Sequence, residues 1–94
     1  YIEVACMPHI LNKGIKHLLI DLPSVDRESD EGALASHHAY WQYPAFSHDK
    51  KTITELVYID NVHQDGLYLL EMQVTPLVLD ASPSRPVLYP LHIM

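Results

Sequence analysis

Gly14-Ile15-Lys16-His17-Leu18-Leu19-Ile20-Asp21, followed by Leu22-Pro23-Ser24, is a short, nearly continuous apolar run that closes on an acid and a turn. Such a run fits a strand buried on both faces better than a surface strand, so the reading is a strand over 15–21. Upstream, Ile2, Cys6, Met7, Ile10 and Leu11 recur at helical spacing, and Gly14 stands where helices commonly end in a left-handed conformation. The spacing predicts a helix over 2–13. Pro8 leaves two forms of it: a kink at Pro8, or a start at Met7 with Pro8 in the first turn. Helix, glycine and buried strand make an α/β unit. In open α/β sheets the residues just past the carboxyl end of such a strand line the ligand crevice, which singles out Asp21, Ser24 and Asp26.

Downstream, Asp26–Gly32 (DRESDEG) is acidic and reads most simply as a solvated loop. Ala33–Trp41 combines helix formers with a repeat at Leu34, His38 and Trp41, which predicts a short helix carrying His37 and His38. Gln42–Lys51, with Pro44, reads as an irregular connection. Thr52–Ile59 (TITELVYI) is a strand or extended segment with Glu55 at its middle. Gly66–Val74 (GLYLLEMQV), entered by Asp65-Gly66, is the clearest strand signal, and Val87–Leu91 closes the chain as a short edge strand after Pro76, Pro83 and Pro86.

The whole chain has 94 residues, 48% of them hydrophobic and 19% charged, which describes one soluble domain or a piece of one and excludes a disordered tail. A chain this short buries only roughly 60 to 65% of its extended surface, so a partner surface, a metal or further chain is expected to help it. Six Lys plus Arg against twelve Asp plus Glu give a net charge of −6, with no basic cluster beyond Lys50-Lys51, so phosphate-backbone binding is not expected. No apolar run approaches the about 18 residues of a membrane helix, so neither a membrane partner nor an anchor is expected. The single Cys6 lies in an apolar stretch and reads as a buried thiol in a reducing, cytoplasmic setting, with a catalytic cysteine as the lesser reading.

Seven histidines are many for this length, and some are candidates for metal binding or titration near neutrality. His37 and His38 are adjacent on a helix, so their side chains diverge by about 100° and at most one of them binds a given ion. The plain alternative is one exposed histidine and one packed against Trp41. Glu55 in a covered strand needs a metal, a cation or hydrogen bonds to hold it, and on an edge strand it simply faces solvent. Asp21 is either a crevice residue or a turn-forming one. Arg85 is a partner for Asp21, Asp26 or a substrate carboxylate, or else a structural ion pair holding the carboxyl-terminal loop. Tyr40, Trp41 and Phe46 suit stacking on an aromatic substrate and suit a core equally. Gly14, Gly32 and Gly66 are too far apart for a phosphate loop, and no H-E-x-x-H, C-x-x-C or G-x-S-x-G occurs.

Two stretches carry more. Gly14 through Asp21 to Leu22-Pro23-Ser24-Val25-Asp26, and Asp65-Gly66-Leu67-Tyr68 continuing to Asp80-Ala81-Ser82-Pro83-Ser84-Arg85-Pro86-Val87-Leu88, resemble the G-[VI]-x5-D-x-P-S-V-D and G-x-Y to [DG]-[AG]-S-P-x-R-x-V-L patterns of the carboxyl-terminal half of the kynurenine formamidase-like (putative cyclase) family of metal-dependent hydrolases. The resemblance spans essentially the whole chain. It implies part of a swivelling β/β/α domain, a mixed sheet with flanking helices, and residues 1–94 as the carboxyl-terminal portion of a longer chain. It further implies hydrolysis of a small amide or ester with a divalent metal, zinc or manganese, activating water as nucleophile, as in removal of the formyl group of N-formylkynurenine in tryptophan breakdown.

By the resemblance, His37 and Glu55 are metal ligands, with His38 as the second choice for the histidine. Their separation of 55 − 37 = 18 residues is longer than in many relatives and implies an insertion around 42–51. The family's H-x-G-T-H-x-D-x-P segment, which supplies most ligands, does not occur in this sequence. One histidine and one glutamate fall short of the three protein ligands typical of catalytic zinc, so the chain alone is expected to be inactive or very weakly active. Two other readings follow from the sequence. One is a non-catalytic homo-oligomeric interaction module that buries segments such as 67–74, and the other is a histidine-rich acidic metal-binding protein.

Overall fold

The computed structural model describes residues 1–43, 50–59 and 64–91. These fall into two compact units, Tyr1–Leu56 and Val57–Met94.

The first unit opens with a single 3-10 turn over Val4–Cys6 and continues into helix α1, Met7–Asn12. Of the two forms that Pro8 allowed, the start at Met7 is the one adopted, with Pro8 in the first turn where no helical donor is lost. The turn buries Met7 completely and leaves Cys6 exposed, so the expected buried thiol is corrected: Cys6 lies in the 3-10 turn ahead of α1, and Met7 is the residue that enters the core. Gly14 follows with φ +71°, as the helix stop requires.

Strand β1, His17–Leu19, runs parallel to β2, Thr52–Thr54, with Leu18 opposite Ile53. Helix α2, Ala35–Trp41, lies in the connection between them, making a β-α-β unit and bearing out the α/β class. Strand β1 is shorter than expected and is not covered on both faces. Leu18, Ile20 and Ile53 pack on the core formed by Met7, Val25 and Tyr40, whereas His17 is exposed and its Nδ1 lies 2.8 Å from Thr52 Oγ1.

Of the expected repeat at Leu34, His38 and Trp41 on α2, Trp41 packs against the core, but the deepest-buried positions are others. Ser36 and Tyr40, four residues apart, are the buried pair. Leu34 sits before the helix in the left-handed region (φ 49°), outside the helical repeat. The buried hydroxyls find acceptors, Ser36 Oγ donating to the Ile2 carbonyl at 2.7 Å and Tyr40 OH to the Ile15 carbonyl at 3.1 Å. This satisfies the polar groups that a purely apolar pattern search overlooks.

In the second unit, β3 (Tyr68–Glu71) pairs antiparallel with β4 (Val87–Pro90), Leu69 facing Tyr89. The strand signals at 66–74 and 87–91 are thus present in shortened form. Among the described residues no helix is long and apolar enough to cross a membrane.

Candidate metal centre

Three chain segments meet at the carboxyl ends of the parallel strands: the turn after β1, the start of α2 and the residue after β2. Pro23-Ser24 ends the extended run, and Ser24 Oγ accepts from the Asp26 N–H at 3.0 Å, the closure expected of a serine in a tight turn. Asp26, read as part of a solvated loop, is in fact buried at 7% exposure. The loop beyond it is organised by Asp30, whose oxygens accept the N–H groups of Gly32 and Leu34 at 2.9 Å.

Helix α2 has no capping side chain at its own N-cap position. Asp26 supplies the cap from ten residues upstream. Its Oδ1 accepts the Ser36 N–H at 2.6 Å and its Oδ2 accepts the His37 N–H at 3.1 Å, satisfying two donors at the start of the helix. The same Oδ2 lies 2.6 Å from His37 Nδ1. Burial works to raise the pKa of Asp26, but the hydrogen bonds from the His37 ring and from the Ser36 and His37 backbone outweigh it, together with the His37 charge. The carboxyl is held below its ordinary value.

Glu55 follows β2 directly. Its Oε2 accepts the Val25 N–H at 2.7 Å, which orients the carboxylate and leaves Oε1 3.6 Å from His37 Nε2. Leu56, next in sequence, adopts φ 58° and donates its N–H to the Leu22 carbonyl at 2.9 Å. A left-handed leucine costs about 1 to 2 kcal/mol, and that hydrogen bond helps hold the turn immediately beyond the glutamate.

Of the residues singled out from sequence, His37, Glu55 and Asp26 are brought together. His38 points elsewhere, its ring 4.9 Å from that of Tyr43, while His37 also packs 5.5 Å from Trp41. Asp21 is exposed. Arg85 belongs to the second unit, where its N–H donates to Gln73 Oε1 at 2.6 Å. Phe46 lies outside the described residues. What the sequence did not reveal is the Val25 N–H as the anchor of Glu55; a backbone donor leaves no signature in residue type.

The donor set suits a divalent ion. Two ligands at about 2.1 Å from one tetrahedral ion stand roughly 3.4 Å apart, close to the observed 3.6 Å, and a carboxylate on the far ring nitrogen is the usual support for a ligating histidine. Among the described residues no group of three or more His, Cys, Asp or Glu side chains is arranged to hold an ion.

In sequence the chain is 38% identical over 87 residues to the kynurenine formamidase of Bacillus cytotoxicus, and 37% identical over 87 residues to those of Bacillus anthracis and Bacillus thuringiensis. Each match covers 89% of this chain, which spans 37% of the length of each relative. No family model matches, and no solved structure does.

Proposed function

We propose, from the premise that this chain is kynurenine formamidase-like in sequence, that it is a portion of a metal-dependent hydrolase acting on a small amide or ester such as an aryl formamide. The observation that carries the reading is the meeting of His37 Nε2 and Glu55 Oε1 at 3.6 Å at the carboxyl ends of two parallel strands. In this reading His37 and Glu55 hold a zinc or manganese ion, which when bound supplies Lewis acidity for activating water and polarising the scissile carbonyl. The chain's own contribution is orientation. The Val25 N–H fixes one oxygen of Glu55, Asp26 fixes His37, and the core beneath them, Val25 and Tyr40, keeps the three segments in register.

Two protein ligands are fewer than the three that typically hold a catalytic zinc, so the 94-residue chain by itself is expected to bind zinc weakly and to release no formate from N-formylkynurenine. Calorimetric titration of the chain with Zn2+ is the test. His37→Ala and Glu55→Ala are each expected to abolish the heat of binding, and His38→Ala to leave it unchanged. Zinc uptake that survives both His37→Ala and Glu55→Ala would refute the assignment.

A further inference from the structure

We infer that Asp26 is a positioning residue that fixes the tautomer of His37, and that the Ser24–Asp26 turn is the template aligning both His37 and Glu55. The inference rests on the metal-centre reading only for what His37 Nε2 then does. Both Asp26 oxygens already act as acceptors, Oδ1 of the Ser36 N–H and Oδ2 of the His37 N–H, so in the 2.6 Å contact between Oδ2 and His37 Nδ1 the ring nitrogen is the donor and the proton lies on Nδ1. In the neutral ring the lone pair is then on Nε2, the nitrogen that faces Glu55 Oε1 at 3.6 Å.

A bare nitrogen and a carboxylate oxygen facing each other repel unless a proton or a metal cation lies between them, so the turn constructs a place for positive charge. Consecutive residues do this. The Val25 N–H holds Glu55 and the Asp26 side chain holds His37, while Asp26 is itself fixed by the Ser36 and His37 N–H groups and its own N–H by Ser24 Oγ. The donors and acceptors involved are intramolecular, with the Asp26, His37 and Glu55 side chains 6%, 14% and 27% exposed.

Long-range 15N–1H correlation on the 94-residue chain, at a pH where the imidazoles are neutral, reads the tautomer directly. The expected spectrum shows His37 with Nδ1 protonated and Nε2 bare. In Asp26→Asn, one oxygen still accepts a helix N–H and the amide donates toward the ring, so the His37 signals are expected to move to the Nε2–H form and Zn2+ affinity to fall about 10- to 100-fold. A purely structural role for Asp26 would leave the tautomer unchanged.

Wild-type His37 in the Nε2–H form, or an Asp26→Asn ring with the wild-type tautomer, would overturn the inference. If the variant does not fold, the wild-type spectrum alone decides. Absence of zinc uptake alongside an Nδ1–H ring would sink the metal reading and leave Asp26 in its role. Uptake by an Nε2–H ring would do the reverse.

Discussion

Tyr40 shows how one buried side chain ties the two strands' support to the site. It is fully buried, its hydroxyl donates to the Ile15 carbonyl just ahead of β1, and its backbone carbonyl accepts from Lys51 Nζ at 3.2 Å just ahead of β2. Tyr40→Phe is expected to cost about 1 kcal/mol, since it removes one hydrogen bond and leaves a carbonyl without its donor. Burial also raises the Tyr40 pKa above the ordinary 10.0. The unfolded chain therefore sheds this phenol proton at lower pH than the folded one. Its contribution is fully present below about pH 10 and is lost as pH rises through the folded pKa. Urea titrations between about pH 9 and about pH 11 should show a shallower alkaline loss of stability in Tyr40→Phe than in the parent; equal slopes would contradict the assignment.

At the scale of elements, the α1 stop and the α2 start are built by opposite means. Gly14 ends α1 by backbone freedom alone, with φ +71° and no atom within 4 Å of where a Cβ would stand. Gly14→Ala is thus expected to destabilise through conformation and not through a clash, by about 1 to 2 kcal/mol in thermal or urea unfolding, and an unchanged midpoint would show that the turn relaxes. Helix α2 starts through Asp26, a cap that is remote in sequence. Because that carboxylate is shared between the helix N–H groups and the His37 ring, the stability of α2 and the orientation of its histidine are one property.

For the whole molecule, the uneven distribution of apolar surface carries a prediction. On one face of the β3–β4 hairpin, Leu67, Leu69, Tyr89 and Leu91 stand 62%, 58%, 46% and 51% exposed, aligned by the Leu69–Tyr89 register and the Leu91 N–H to Leu67 carbonyl bond. Adjoining exposed apolar side chains of this kind mark an interaction surface or an association liability. Sedimentation of the 94-residue chain is expected to show a mass that rises with concentration above 10.7 kDa, and Leu69→Lys to suppress the rise. A parent chain that stays at the monomer mass throughout would rule out self-association through this face.

Local pattern carried the α/β class, the break at Gly14, the strand cores around Leu18, Ile53, Leu69 and Leu88, and the helix bearing His37, because periodicity and turn chemistry act over a few residues. Pattern named Glu55, His37 and His38 as candidates; resemblance made Glu55 a ligand and chose His37 over His38. The tertiary structure decided the rest. Strand ends fell short of the apolar runs because ladder pairing, not hydrophobicity, sets their limits, and Leu56 leaves the extended region two residues past β2 while its N–H still bonds the Leu22 carbonyl. Ser36 replaced Leu34 on the inward face because the Ile2 carbonyl is there to receive its hydroxyl. Asp26 changed from a solvated acid to a buried cap and histidine partner because residues ten and eleven positions away supply the three donors that repay its burial, and no local reading of DRESDEG contains them.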